Sequence, residues 1–265
     1  MRQKMAIQRY TSCFKTISSA SLSKWKEIPA AVIADCMNRT NVMSSRISPV
    51  ARGMKLLGQA RTVDCFVGDN SASHVAVSML KPGEILVIDA KAHLDTAAWG
   101  GIMTLAAIKQ KAGGVVIDGA VRDVAELCEL GLPIFSAGTV PKGPSKGFGG
   151  VIDGIISCGD CAVKPGDLII GDDDGISVVQ LDKEEQLLKS ALKKLDDAMD
   201  KCAQEHDKMI DKVKNSKRKA KSPPSCGCKT YLLHLEKATK LNKPERCSKL
   251  GCSNTARVGA HIFNF

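Results

Sequence analysis

Aromatic side chains are scarce in this chain: two tryptophans, two tyrosines and six phenylalanines among 265 residues. A core must therefore be assembled from Val, Ile, Leu, Ala and Met, which the 44% hydrophobic share supplies. No apolar run approaches the ~20 residues needed to cross a bilayer, so a helical membrane protein is excluded. Acids are absent before Glu27, whereas Arg2, Lys4, Arg9 and Lys15 already stand in the first fifteen residues. That composition suits an organellar transit peptide, but there is no apolar segment of the secretory type. A plain N-terminal helix on a cytoplasmic protein is expected, with organellar import as the alternative.

At this length the chain has room for one large domain, or one domain with a small appendage. The formal net charge of +10 is unevenly spread. Residues 1–183 hold 20 basic and 18 acidic side chains, whereas residues 184–265 hold 18 basic and 10 acidic. The basic tail reads either as a solvated Lys-rich helix and linker or as a surface for a nucleic acid or protein partner. The eleven cysteines divide similarly. Cys13, Cys36, Cys65, Cys128, Cys158 and Cys161 are scattered, mostly beside apolar residues, and read as small buried hydrophobes of a reducing compartment. The other five lie beyond residue 200.

Pro29 suits the first turn of a helix, where its missing N–H has no partner anyway, and predicts a short buried helix through Met37. The segment from Gly58 to Val67 alternates apolar and polar residues as a half-buried strand does. Ile85 to Asp89, Val115 to Asp118, Ile134 to Ala137 and Leu168 to Gly171 are short apolar runs of buried-strand type. Helical patterns cover residues 72–80, 104–111 and 124–130, the last stopped by Gly131 and Pro133. Strands interleaved with helices make this an α/β domain. Residues 141–150, rich in Gly, Pro and Lys, form a long loop. From Asp182 a long amphipathic helix carries Leu187, Leu188, Ala191, Leu192, Leu195 and Met199 on one stripe. A shift to Lys, Ser and Pro around Lys212 to Pro224 marks a linker. The expected division is an N-terminal extension (1–24), a main domain (25–200), a Lys-rich helix end and linker (201–224) and a Cys/His-rich module (225–265).

The residues with chemistry are Trp99-Gly100-Gly101-Ile102-Met103-Thr104 and Asp118-Gly119-Ala120-Val121-Arg122-Asp123. Paired glycines before a helix let a ligand approach the backbone, where free amides and the helix dipole favour a carboxylate. The second segment ends a buried strand in a turn that presents Arg122 and Asp123 together, at the strand end where ligands of α/β sheets gather. Arg122 suits a carboxylate or enolate oxygen, and Asp123 offers hard oxygens to Mg²⁺ or Mn²⁺. An adjacent Arg-Asp pair is also a common surface ion pair or helix cap, and the residues alone leave both readings open.

These two segments do not stand by themselves. With Ile33-Ala34-Asp35, Arg39, Ser45-Arg46-Ile47, Gly58-Gln59-Ala60-Arg61-Thr62, Pro82-Gly83-Glu84 and Gly171-Asp172-Asp173-Asp174-Gly175, they resemble, in order, the regulator-of-ribonuclease-activity-A (RraA) family. That family includes 4-hydroxy-4-methyl-2-oxoglutarate aldolases, which also decarboxylate oxaloacetate. The resemblance spans roughly residues 25–195. It implies a swivelling-type β/β/α layered domain followed by a long helix, and a homotrimer or dimer of trimers with its active site at a subunit boundary. It also implies that Arg122 binds the 2-oxo-acid substrate, that Asp123 binds Mg²⁺ or Mn²⁺, and that Gly100, Gly101, Ile102 and Met103 hold the substrate through backbone amides. The implied reaction is a metal-dependent retro-aldol cleavage or β-decarboxylation that yields pyruvate through its enolate. The alternative is a non-catalytic regulator that binds the RNA-degradation machinery, as other family members do.

One departure bears on that choice. Where aldolases of this kind often carry an acid after the first glycine, this chain has Gly101; that acid helps hold water on the metal, and its absence favours the regulator. A carboxylate from a neighbouring subunit's long helix, between Glu184 and Asp200, is a candidate substitute. The run Asp172 to Asp174 reads as structural, as do the isolated His74 and His93, and Asp35 is expected to pair with Arg39 one helical turn away. In the tail, Cys226, Cys228, Cys247, Cys252 and His261 offer four of five ligands for a structural Zn²⁺, with His234 in reserve. A module this short gains from a metal staple because it buries little apolar surface.

Overall fold

A computed structural model describes residues 6–217 of the chain. The proposed zinc ligands Cys226, Cys228, Cys247, Cys252 and His261, with His234, lie outside the described residues. The described part divides between Asp197 and Ala198 into two units. In the first, the chain runs β1 (Ile7–Arg9), α1 (Ser19–Trp25), α2 (Ala30–Cys36), β2 (Ser48–Pro49), β3 (Leu56–Cys65), α3 (Ser71–Val77) and β4 (Ile85–Trp99). It continues through α4 (Gly101–Lys109), β5 (Gly114–Val121), α5 (Val124–Leu130), β6 (Ile134–Thr139), β7 (Gly150–Ile152), β8 (Ile156–Cys158), β9 (Cys161–Val163), β10 (Leu168–Asp172) and β11 (Gly175–Val179). A 3-10 turn at Leu181–Lys183 then leads into α6 (Glu184–Lys217).

The sheet is mixed, in the order β1-β7-β3-β4-β5-β6-β2. The sequential strands β3, β4, β5 and β6 are parallel neighbours. β3 belongs to three ladders: Leu56–Gln59 pairs antiparallel with β10, Ala60–Asp64 parallel with β4, and Val63–Cys65 antiparallel with β7 on its other edge. Alternate residues of the central strands serve two cores. Val63, Leu86, Ile88, Val115 and Ile117 pack with Ala72, Ala76, Met103, Ala107 and Leu127 of helices α3, α4 and α5. Ala60, Ile85, Val87 and Val116 pack with Ile156, Val163, Ile169, Ile176 and Val178 of the later strands. A third cluster joins Leu168, Ile170 and Val179 to Trp25, Ile33, Leu188 and Ala191, so helices α1, α2 and the start of α6 also cover the outer side of β10 and β11. The expected three layers thus gain a further helical cover.

Burial on both sides corrects the reading of β3 as half-exposed. Its polar residues face partners rather than water. Gln59 accepts the Ile17 amide at 2.9 Å and donates to the carbonyls of Lys15 (2.9 Å) and Gly166 (3.0 Å). Arg61 donates to Glu84 at 3.0 Å and Asp153 at 2.7 Å, all three buried. Alternation of polarity cannot distinguish a solvated face from an interior one whose polar groups are all bonded.

Other expectations shift for similar reasons. Pro29 sits at the N-cap of α2, one place before the first helical residue. Asp35 pairs with Lys194 of α6 at 2.6 Å instead of with Arg39, because the helix ends at Cys36 and Arg39 turns to φ 61°. The N-terminal segment is not purely helical: Ile7–Arg9 forms β1, paired in parallel with β7. Cys65, Cys158 and Cys161 are buried as expected, but Cys13 and Cys128 are exposed and Cys36 is intermediate. Burial pushes the Cys65 and Cys161 thiols up to about 11, which keeps them inert. The acidic run has structural roles: Asp172 accepts the Ala30 amide at the start of α2 (2.8 Å), and Asp173 accepts the Gly53 amide (2.7 Å).

Within the second unit, α6 runs helical to Lys217, past the point where the composition predicts a linker. Residues Ala198 to Asp211 are all exposed, Met199, Met209 and Ile210 included. The predicted stripe therefore buries its residues only at the helix start. No helix among the described residues is long and apolar enough to cross a membrane.

Candidate active site

Strand β4 is predicted only over its first five residues but extends for fifteen. The remainder follows β5 irregularly, with register shifts between Asp89 and Trp99. Lys91 and Ala92 take positive φ values of 62° and 53° there. Bulges of this kind re-aim a strand end near a site. The result is that Trp99 pairs with Val121, and the Arg122 amide donates to the Trp99 carbonyl at 3.0 Å. The two glycine-containing segments, distant in sequence, thereby leave the sheet side by side.

Each turn is locked. Trp99 Nε1 donates to Thr104 Oγ1 at 2.7 Å, and that hydroxyl donates to the Gly100 carbonyl at 3.1 Å. Gly100 is extended, and its need for glycine is one of space: a Cβ there would stand 2.7 Å from Asp123 Oδ2 and 3.1 Å from Arg122 Cγ. Asp123 occupies the N-cap position of α5 in the left-handed region (φ 61°, ψ 36°), a conformation that costs about 1–2 kcal/mol outside glycine. Its side chain makes no cap bond to α5. Instead Oδ2 accepts the Gly101 amide at 3.1 Å, at the start of α4. The carboxylate therefore does not cap its own helix and serves the opening of α4 instead.

The pair itself is loose. Arg122 Nε lies 3.5 Å from Asp123 Oδ2, with both side chains about two-fifths exposed (41% and 40%). Such a contact contributes little to stability, so each group retains bonding capacity for a ligand. Of the three amides opening α4, Gly101's is taken, whereas those of Ile102 and Met103 have no acceptor among the described residues. All six expected residues, from Gly100 to Met103 and Arg122 to Asp123, line one small cavity. The Ile102 side chain points largely into solvent, at 77% exposure, so its contribution to the cavity is its backbone.

Three titratable cavity or rim groups escape the sequence reading. Lys146 comes from the loop after β6, and His74, read there as structural, also lines the cavity. Partial desolvation, and next the Lys146 ammonium, hold the His74 imidazole below its ordinary pKa. Glu126 is the third. A Cβ on Gly101 would overlap its carboxylate, so Glu126 fills the space that a side chain at position 101 would take. Its place three residues after Asp123 on α5 was the available clue. Glu184, the first carboxylate of the suggested stretch 184–200, is already engaged, accepting Trp25 Nε1 at 2.6 Å and Ser21 Oγ at 2.7 Å.

Among the described residues no group of three or more His, Cys, Asp or Glu side chains forms a metal cage. Two carboxylates, Asp123 and Glu126, do converge on Gly101. Hard oxygens in that small number suit Mg²⁺ or Mn²⁺, which retain several waters, and do not suit a closed zinc site. A larger cavity beside β1 and β7 lacks comparable chemistry, since its Lys91 is bonded to Asp64 (2.6 Å) and Asp89 (2.7 Å).

Known proteins resemble this chain in sequence and fold. A protein of Halalkalibacterium halodurans, provisionally named 4-hydroxy-4-methyl-2-oxoglutarate aldolase, is 36% identical over 173 residues, covering 65% of this chain and 82% of its own. The crystal structure of Streptomyces coelicolor RraAS2, described as an unusual member of the RNase ES inhibitor RraA family, has a TM-score of 0.63 at 25% identity, covering 69% of this chain and 95% of its own. A Thermus RNA-processing inhibitor, RraA, has a TM-score of 0.54 at 25% identity, covering 58% and 93% respectively. The RraA-like family model, Aldolase/RraA, matches residues 30–178, more than half of the chain and both halves of the cavity. By that match and by the shared fold, this chain is a member of the Aldolase/RraA family.

Proposed function

We propose that the chain is a divalent-metal-dependent lyase that cleaves small 2-oxo acids to pyruvate. Its reactions would be retro-aldol cleavage of 4-hydroxy-4-methyl-2-oxoglutarate, β-decarboxylation of oxaloacetate, or both. The observation that carries this reading is the meeting of Arg122, Asp123, the Glu126 carboxylate and two unused amides at the start of α4. Asp123 and Glu126 would hold Mg²⁺ or Mn²⁺, which supplies Lewis acidity for the 2-oxo group. Arg122 grips an oxygen that gains negative charge as the enolate develops. The amides of Ile102 and Met103 orient the acid's carboxylate. In β-decarboxylation the C3–C4 bond breaks, its electron pair enters the C2–C3 enolate, CO₂ leaves, and C3 takes a proton from solvent.

Exposed Ile102 (77%) and Leu105 (51%) on α4 support a cavity completed by another copy, in a homotrimer or a dimer of trimers. The test of function is pyruvate release from oxaloacetate with Mg²⁺ or Mn²⁺ added and then chelated. Asp123→Ala should abolish release while leaving the fold intact; activity near that of the parent would refute the assignment. The inhibitor descriptions of the two structural neighbours favour a second reading, a protein-binding regulator. Silence of the parent chain on both 2-oxo acids would select it.

A further inference from the structure

Retro-aldol cleavage and β-decarboxylation place different demands on the site. Both need an electron sink at the 2-oxo end, which Arg122 and the α4 amides face. Decarboxylation needs no base, because the leaving carboxylate is already ionised. In the aldol substrate the C4 hydroxyl must lose its proton as the C3–C4 bond breaks, so a base has to stand at that carbon. Four titratable side chains line the cavity: His74, Arg122, Asp123 and Lys146. Arginine does not release its proton in proteins, and an ammonium has no lone pair to accept one. Asp123 is engaged by the Gly101 amide at 3.1 Å and by Arg122 at 3.5 Å, and with Glu126 at the rim it is assigned to the cation. His74 remains.

The position of His74 is set by its helix. Asn70, at the N-cap of α3, is buried, and its side-chain amide donates to the Ala98 carbonyl at 3.1 Å and to Met103 Sδ at 3.3 Å. These bonds tie the start of α3 to the end of β4 and the first turn of α4. His74 lies one turn further along the same face, and its backbone amide donates to the Asn70 carbonyl at 3.1 Å. Its neighbours Ser73, Ala76 and Val77 are buried, whereas His74 is exposed at the cavity. Among the described residues the imidazole has no hydrogen bond or ion pair, so both ring nitrogens are available. Asp69, only 1% exposed, accepts the amides of Gly147 at 2.9 Å and Phe148 at 3.3 Å, which fixes the loop that carries Lys146. The charged groups around His74 are thus Lys146 from that loop, Asp69 before α3, and Arg122 and Asp123 after β5. Desolvation and then the Lys146 ammonium favour the neutral ring, and Asp69 opposes them. A neutral imidazole is the form that accepts a proton.

We propose that His74 is the proton carrier of the aldol reaction: it takes the proton of the C4 hydroxyl and returns it to C3. The inference rests on the lyase reading and adds a catalytic residue to it. As a ring nitrogen of His74 takes the proton, the O–H pair forms the C4 carbonyl. The C3–C4 bond breaks and its pair enters the C2–C3 enolate. The imidazolium then gives the proton to C3 as the C2 carbonyl re-forms. From 4-hydroxy-4-methyl-2-oxoglutarate the products are two molecules of pyruvate, and His74 ends neutral, as it began. In decarboxylation the proton on C3 comes from solvent, and His74 is dispensable.

The test compares the two reactions in one variant of the full chain with Mg²⁺. His74→Gln should lower cleavage of 4-hydroxy-4-methyl-2-oxoglutarate by about 10²-fold or more, the usual range for a general base, and leave oxaloacetate decarboxylation within about threefold of the parent. Retained decarboxylation also shows that the variant is folded. Aldol cleavage by the parent should fall as pH drops through the imidazole pKa, below about 6.5, and Lys146→Met should move that limb to higher pH by removing a nearby positive charge. Proton NMR of the metal-free chain reads the same group without turnover. The His74 resonance, identified by its loss in His74→Gln, should titrate at higher pH in Lys146→Met than in the parent. Unchanged aldol cleavage in His74→Gln, equal loss of both reactions, or an acid limb that does not follow the His74 resonance overturns the proposal. A parent that decarboxylates oxaloacetate but leaves the hydroxy acid intact sinks this inference alone, whereas a parent silent on both sinks the lyase reading and this inference with it.

Discussion

Arg61 and Arg122 both belong to the central strands, Arg61 within β3 and Arg122 just past β5, and both face carboxylates, yet they are in opposite states. Arg61 is 6% exposed and donates to two buried acids, Glu84 and Asp153. Arg122 is two-fifths exposed and has only a 3.5 Å contact with Asp123. The motif that ends β5 repeats the contrast within six residues. Asp118 is buried, accepting both Arg46 Nε at 2.9 Å and Nη2 at 2.8 Å, together with the Gly159 amide at 2.8 Å. Asp123 is open and strained. A closed network neutralises itself and has nothing left for a ligand, whereas an open pair contributes little to stability and retains its capacity.

This contrast can be broken at either arginine. Arg61→Ala should cost the most stability, about 3–5 kcal/mol, because it strands two buried carboxylates. Denaturant unfolding would measure this; a loss below about 1 kcal/mol would show that water reaches the network. Arg122→Ala should leave unfolding nearly unchanged but lower pyruvate release by about 10²–10³-fold, the usual effect of removing a donor to a developing oxyanion. A large loss of stability there would place Arg122 with Arg61 as a structural group. The smallest effect should come from Glu126→Ala, which should weaken half-saturation by Mg²⁺ about tenfold, as loss of a supporting carboxylate does. Adding Gly101→Asp to that variant should recover the affinity, since Glu126 fills the place of a side chain at position 101. Failure of the rescue would mean that the two carboxylates are not equivalent.

How much was legible depended on whether the decisive contact was local. Helix α5 appears within its expected bounds, because Gly131 ends it in a left-handed conformation and Pro133 follows. The pairing of Arg122 with Asp123 was visible because the two are adjacent. Glu126 was overlooked, although one turn away, because its importance depends on Gly101, 25 positions earlier. Lys146 lay in a loop whose composition indicated only irregularity, and its placement depends on Asp69. Asp35 had a plausible local partner in Arg39 and took a remote one, Lys194, instead.

The order of the central strands β3 to β6 and of helices α2 to α5, the glycine-opened helix and the acid and base types available for chemistry were properties of the sequence alone, since backbone sterics and hydrophobic period act over a few residues. Which of two similar ion pairs is closed and which stays open, and which lysines find an acid, were decided by the tertiary structure. Charge pairing and desolvation depend on distances between segments, and those distances exist only once β3, β4 and β5 lie side by side.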